Sequence, residues 1–407
     1  MNRKQLILLL AALVVAGGAS LLLLNRHQDS WNQSEAQLGG KLLKDFQMND
    51  VAAIHIRGDS DLDLVRKEDR WRVAQRGDYP ANFSQISDLL IKIGDLKIKQ
   101  SEPIGPSQLG RMQLEPPGKS PGAGLLVEFK NNQGSILDSL LLGKKHTEKS
   151  DRPSPMPDGD DGFADGRYVM LTSDPNDVLT VSDPLNSVDP KAPEWLNKDF
   201  FKIEKPQSVS FVSTNASNSW TLTRSSESAP WLLNETKPGE VLDTNKLSSL
   251  ASTLSDPSFV DVAADPAKAG MDKPLLVTIK TFDGFAYTLK VGGKTPENDY
   301  NLNVEIAADL PSARTPGRDE KPDDKTKFDK EFQDKNKSLQ AKLAQEKSLG
   351  QWTYVVNGWL IDPLIRDRSQ LMVEKKTEKT AATSEAKPDA VLPDSTLPDP
   401  VPGAPPQ

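Results

Sequence analysis

The chain has 407 residues, a formal net charge of −8, 36% hydrophobic residues and no cysteine. The lack of cysteine excludes disulfides, thiolate metal sites and a thiol nucleophile, so any fold must be held by its apolar cores. The acidic charge is spread along the sequence and no basic stripe points to nucleic acid.

Residues 6–24 are nineteen positions whose only polar side chain is Ser20. At about 1.5 Å per residue, a helix of that length crosses roughly the 30 Å hydrocarbon core of a bilayer. Arg3 and Lys4 precede the run, which favours a cytoplasmic N-terminus with the bulk of the chain exported. A cleavable signal peptide is the rival reading, since Gly17-Gly18-Ala19 offers small residues. The run continues through Leu24, longer than the roughly 7–15 apolar residues usual there. Residues 1–25 are therefore read as a single-pass membrane anchor and 26–40 as a polar spacer.

The rest reads as an α+β protein of two tandem homologous domains, 41–198 and 199–370. In each, an antiparallel sheet is packed by a helix behind the N-terminal transmembrane helix. In the first, the strand around Ile54 and Ile56 is followed by Leu62 and Leu64, a polar turn at Lys67-Glu68-Asp69, then Trp71 and Val73. Alternation on both sides of a short polar turn predicts a β-hairpin. Val209 and Phe211, Trp220 and Leu222, then Trp231 and Leu233 repeat the pattern. Each copy then switches to helical period: Phe83, Ile86, Leu89, Leu90, Ile93 and Leu96 in the first, Leu247, Leu250 and Leu254 in the second. Asn82 and Asp243 stand where the helices begin.

Leu114-Glu115-Pro116-Pro117 aligns with Met271-Asp272-Lys273-Pro274, and Leu125-Leu126-Val127 with Leu275-Leu276-Val277. The returning strands end at Gly143-Lys144-Lys145 and Gly292-Gly293-Lys294. Strands at 168–171 and 178–181 close the first copy, and those at 302–306 and 354–356 the second. A charged insert at 311–350 is predicted to be helical, with Phe328, Phe332, Leu339 and Leu343 as a sparse apolar stripe. It reads as a solvated helix leaning on its own domain or as a docking helix. Too poor in apolar residues to offset ordering, it is expected to be dispensable for folding. Residues 151–166 form a Pro/Gly/Asp loop. Residues 371–407 read as a disordered, Pro-rich tail.

No catalytic, cofactor or metal site is predicted, and the chain is read as a non-enzyme. Gly118-Lys119-Ser120 lacks the first glycine of a phosphate loop and is flanked by prolines. Asp158, Asp160, Asp161 and Asp165 crowd one loop, but Gly162 occupies a ligand position of a calcium loop; a solvated loop is the reading. Of three histidines, His27 abuts the anchor, His55 lies mid-strand facing a sheet surface, and His146 sits in a turn; none has a partner at ligand spacing. Trp71, Trp220 and Trp231 are read as core, while Trp195 and Trp352 fall outside the hairpins.

An anchor, a hairpin ending in Trp71, Tyr79-Pro80-Ala81 leading into an Ile/Leu helix, Leu114-Glu115-Pro116, a Leu-Leu-Val-Glu-Phe strand and a Leu-Gly-Lys turn occur in that order. The pattern resembles the bacterial family named domain of unknown function 4340, with Gly270-Met271-Asp272-Lys273-Pro274 as a looser second signature. The resemblance covers residues 40–370 apart from the inserts. It implies a membrane-anchored accessory found beside ABC-type transport systems, with a permease, an ATPase and a gliding-type auxiliary subunit as partners. The implied location is the inner membrane with the bulk periplasmic. The family supplies no catalytic residues. A stand-alone glycan- or peptide-binding protein using a groove between the copies is the alternative.

Overall fold

The computed structural model describes residues 38–147, 164–317 and 320–373. Residues 371–373 of the predicted tail belong to the fold, with Leu371 buried in the core; the predicted anchor, most of the spacer and acidic loop, and residues 374–407 lie outside the described residues. No helix among the described residues is long and apolar enough to cross a membrane.

The fold is α+β, built on two antiparallel sheets. The first contains β1 (Ala53–Arg57), β2 (Asp61–Lys67), β3 (Arg70–Val73), β4 (Tyr79–Pro80), β5 (Ile98–Pro103), β6 (Leu125–Lys130), β7 (Ile136–Thr147), β8 (Ala164–Leu171) and β9 (Asp174–Val181), with α1 (Phe83–Asp95) between β4 and β5. The second contains β10 (Pro206–Val212), β11 (Trp220–Thr223), β12 (Leu232–Leu233), β13 (Asp261–Val262), β14 (Leu275–Thr281), β15 (Phe285–Lys294), β16 (Tyr300–Ala308) and β17 (Tyr354–Val356). Helix α2 (Thr244–Ser255) precedes β13, and α3 (Pro322–Lys347) lies between β16 and β17.

The strand orders are β4-β3-β2-β1-β6-β7-β8-β9-β5 and β12-β11-β10-β14-β15-β16-β17-β13. Apart from β4 they are the same path. Registers agree as well. Ile54 lies between Leu64 and Phe129, as Val209 lies between Leu222 and Ile279. Val127 pairs with Leu140 and Leu140 with Leu171; Val277 pairs with Leu289 and Leu289 with Val304. Leu125 and Leu275 thus occupy equivalent strands. The helix starts match too. Asn82 N–H donates to Trp195 O at 2.8 Å, and Asp243 N–H to Leu371 O at 2.9 Å.

These elements follow from local chemistry. Alternation in β1 buries Ile54 and Ile56 completely and leaves His55 on the other face. Glu68 and Asp69 both take positive φ, 49° and 59°, as a tight primed hairpin turn requires. Asn82 caps α1 by accepting from Gln85 N–H at 3.2 Å, and Asp243 caps α2 by accepting from Asn245 N–H at 2.9 Å. Ile86, Leu89, Leu90 and Ile93 form the buried face of α1.

Three expectations need correction. The first returning strand does not end at Gly143-Lys144-Lys145, since β7 runs on to Thr147, while β15 ends at Lys294 as read. A Cβ on Gly143 would lie 2.4 Å from Met112 O, and one on Gly292 2.6 Å from Ala269 O. The glycines are there because another backbone crosses the strand, and Gln113 and Gly270 take left-handed φ at the same point. His146 is therefore a strand residue, not a turn residue, and Asp165 belongs to β8 rather than to a solvated loop.

The third correction concerns the insert. The outer part of α3 is exposed, with Phe328 39% accessible. Its C-terminal part leans on its own domain, as read, but is not solvated there: Leu339 and Leu343 pack on the core and Glu346 is only 5% exposed. The charged sequence hides this because few positions per turn carry the contact.

One continuous hydrophobic cluster joins both sheets. A second, small cluster of Leu114, Leu141, Met170 and Val178 lies apart from it, with Leu109 and Met112 of the turn Pro106–Met112 packed against it.

Candidate functional site at the sheet junction

Tyr79, on edge strand β4, carries the first sheet into the second. Its ring is buried and meets Phe259, Trp352 and Tyr354 edge-on, with centroids at 5.8, 4.8 and 6.0 Å. Phe200, from the connection between the sheets, adds contacts to Phe201, Phe259 and Tyr354 at 4.4 to 5.1 Å. Edge-on pairs of this kind add to the area they bury. Burial pushes the Tyr79 hydroxyl up to about 12 and raises Tyr354 as well, so both rings stay neutral at physiological pH.

A forked ion pair flanks the cluster. Arg76 Nε and Nη2 donate to the two carboxylate oxygens of Asp261 at 2.7 and 2.8 Å, across 185 residues of sequence. Both side chains are about four-fifths covered, so solvent screens the pair less than an exposed one. Lys198 Nζ donates to Val260 O at 2.8 Å and stands 4.8 Å from the centre of the Phe259 ring.

Two clefts open beside this junction under the end of α3, one of about 470 Å³ and one of about 150 Å³. Asp199, Phe200, Gln345 and Glu346 line both. Glu346 accepts from Lys202 N–H at 3.0 Å and from the Tyr287 hydroxyl at 2.8 Å. Burial raises its carboxyl above the usual range, opposed by those two donors. Lys342 is held by Glu204 at 2.8 Å and donates to Lys202 O. Lys342 and Glu346 of the larger cleft thus fix α3 to the connection through Lys202 and Glu204. The exposed parts of Phe200 and Trp352 remain as an aromatic wall.

The residues singled out in the sequence are dispersed. His55 Nδ1 lies 2.6 Å from Asp63 Oδ1 on the outer face of the first sheet, and Gln75 donates to Asp63 at 2.9 Å. Burial lowers the His55 pKa. His146 Nδ1 lies 2.6 Å from Asp165 Oδ1, and Lys99 Nζ donates to Asp165 Oδ2 at 2.8 Å. Lys99 and His146 together hold the Asp165 carboxyl at about 2. No group of three or more His, Cys, Asp or Glu that could hold a metal occurs among the described residues.

Gly118-Lys119-Ser120 closes a local turn, with Ser120 Oγ donating to Glu115 at 3.1 Å. Trp71, Trp195 and Trp220 are core. Trp195 and Trp220 donate their indole N–H to Asp189 O and Arg366 O, each at 2.7 Å. Trp231 is half-buried beneath the Arg224 guanidinium.

The sequence reading missed the roles of Tyr79, Phe200, Phe259 and Glu346. The pair Phe200-Phe201 at the boundary between the copies was an available signal, since aromatic side chains dominate core and interface energetics.

The fold and junction define a two-sheet α+β protein whose like-ordered sheets share one hydrophobic cluster. Residues 159–274 match the family described as domain of unknown function (DUF4340), which bears out the family named from the sequence over that segment. That segment runs from β8 to the loop before β14 and contains Phe200, Phe259 and Asp261 of the junction. No curated protein and no solved structure matches the chain.

Proposed function

We propose that this chain is a non-enzymatic, membrane-anchored scaffold, an accessory subunit of an inner-membrane ABC-type transport complex with its bulk in the periplasm. The two sheets are read as tandem homologous domains that arose by duplication. The shared strand order, register and helix-capping contacts support the duplication. The observation that carries the scaffold reading is the junction. Tyr79, Phe259, Trp352 and Tyr354 lock the sheets into a fixed relation, which suits a part that holds others in place. One anchor helix cannot form a solute path, so transport would belong to the partners.

The aromatic wall of the junction clefts favours one second reading, a glycan- or peptide-binding protein of the envelope. Purification of the full chain in mild detergent separates the two. Recovery of a stoichiometric permease and ATPase is the expected result. A monomer that retains a glycan or peptide overturns the accessory role.

A further inference from the structure

We infer that the C-terminal end of α1, together with the segment that wraps it, is a membrane-resting face that lies against the lipid surface to which the chain is tethered. The inference rests on reading residues 6–24 as an anchor. Thirteen residues, 25–37, separate that run from Leu38, the first described position. Such a linker reaches at most about 45 Å, and its typical span is about 20 Å if flexible. The part of the molecule nearest its attachment is therefore held close to the bilayer at high effective concentration.

Three exposed apolar side chains lie in that part, Met48 and Ile91 at the end of α1 and Leu38 beside the strand that follows it. Leu38, Met48 and Ile91 are 47%, 40% and 45% accessible. Residues 39–42 run along the strand that follows the helix, through Gly39 N–H to Ile98 O at 2.8 Å and Leu42 N–H to Leu96 O at 2.7 Å. A Cβ on Gly94 would lie 3.9 Å from Met48 Cε, and Ile91 is three residues earlier on the same helical face. Lys41 pairs with Asp95 at 3.0 Å, which ties the start of the described chain to the end of α1.

The charges around the patch balance. Lys41, Lys44, Lys92 and Lys97 are matched by Asp45, Asp50, Asp88 and Asp95, all exposed. Apolar contact with the interface, not attraction to anionic lipid, would carry the apposition. It should therefore be as strong on phosphatidylcholine as on acidic lipid and insensitive to salt.

The cysteine-free chain makes the test direct. Full-length protein carrying Met48→Cys or Ile91→Cys is labelled with a fluorophore and reconstituted in phosphatidylcholine vesicles containing nitroxide lipid. Leu276→Cys and Trp359→Cys serve as exposed controls away from the tether. Flotation with the vesicles reports the anchor independently. Several-fold stronger quenching at 48 and 91 than at 276 and 359, unchanged by salt, is expected. Ile91→Asp should abolish most of the quenching at 48 without lowering the melting temperature. Failure to float removes the anchor reading and the proposal together. Flotation with equal quenching at all four sites leaves the anchor and overturns the proposal. So does a label at 48 or 91 that is shielded from aqueous iodide yet untouched by lipid nitroxide, since a protein then covers the patch.

Discussion

The first and second sheets share their inner faces but not their outer ones. In the first, Leu126 pairs with Leu141 and Leu141 with Met170, and the connection through Pro106–Met112 covers that row. At the equivalent row of the second, Leu276 pairs with Lys290 and Lys290 with Asn303. Among the described residues no such cover lies there: Leu276 and its neighbour Val212 are 36% and 54% accessible, and Lys290 pairs with Glu305. The inner faces are not identical either. Asp138 pairs with Phe129 where Tyr287 pairs with Ile279, and only Tyr287 receives a carboxylate, Glu346 of α3. The inner alternation sets the common path. The outer residues decide which connection folds back over the sheet.

The largest expected effect tests whether the two sheets are one body. Tyr79→Ala should cost about 3–5 kcal/mol, the range for truncating a large buried aromatic. Denaturant unfolding should change from one transition to two as the sheets uncouple. A single unshifted transition would remove the junction from the account.

Exchanging the outer rows comes next. Leu141→Lys places an ammonium under the cover of the first sheet and should cost about 2–3 kcal/mol. Lys290→Leu, on the open face of the second, should stay within about 0.5 kcal/mol. Equal costs would mean that the cover does not distinguish the faces. Gly143→Ala and Gly292→Ala should each cost about 1–2 kcal/mol, because an added methyl meets a crossing backbone in both sheets. A clear penalty at one and none at the other would break the equivalence of the two crossings.

The smallest effects are opposite in sign. Asp165 is held at about 2 against an ordinary 3.8, so its contribution is present above 3.8 and lost as pH falls towards 2. Glu346 is raised above 4.5, so its contribution is present below 4.5 and lost as pH rises through the raised value. In melting temperature against pH, Asp165→Asn should flatten the acid limb and Glu346→Gln the limb above 4.5. If Glu346→Gln leaves that limb unchanged, the buried carboxyl of α3 is not what titrates there.

The strands legible in the sequence were those with clean alternation. Strand β5 was not, because Ile98–Pro103 alternates poorly and lies at a sheet edge, where one neighbour suffices. The two-residue strands β4 and β13 carry too little pattern to be read at all. His146 was misplaced because Gly143 resembles a strand end; its reason is steric and comes from residues 31 positions earlier, at Met112. The insert was half legible. Charge density described its outer half, while Leu339, Leu343 and Glu346 contribute only through what they touch.

By itself the sequence determined the alternation, the hairpin turn at Glu68 and Asp69, the caps at Asn82 and Asp243, and the alignment of Leu125 with Leu275. Each depends on residues a few positions apart, where backbone geometry fixes which side chains share a face. Only the tertiary structure decided the contact of Tyr79 with Phe259 and Trp352, the fork between Arg76 and Asp261, the burial of Glu346 against Tyr287 and the crossings at Gly143 and Gly292. Those meet across long stretches of chain, and where a path returns is set by the whole core rather than by any local period.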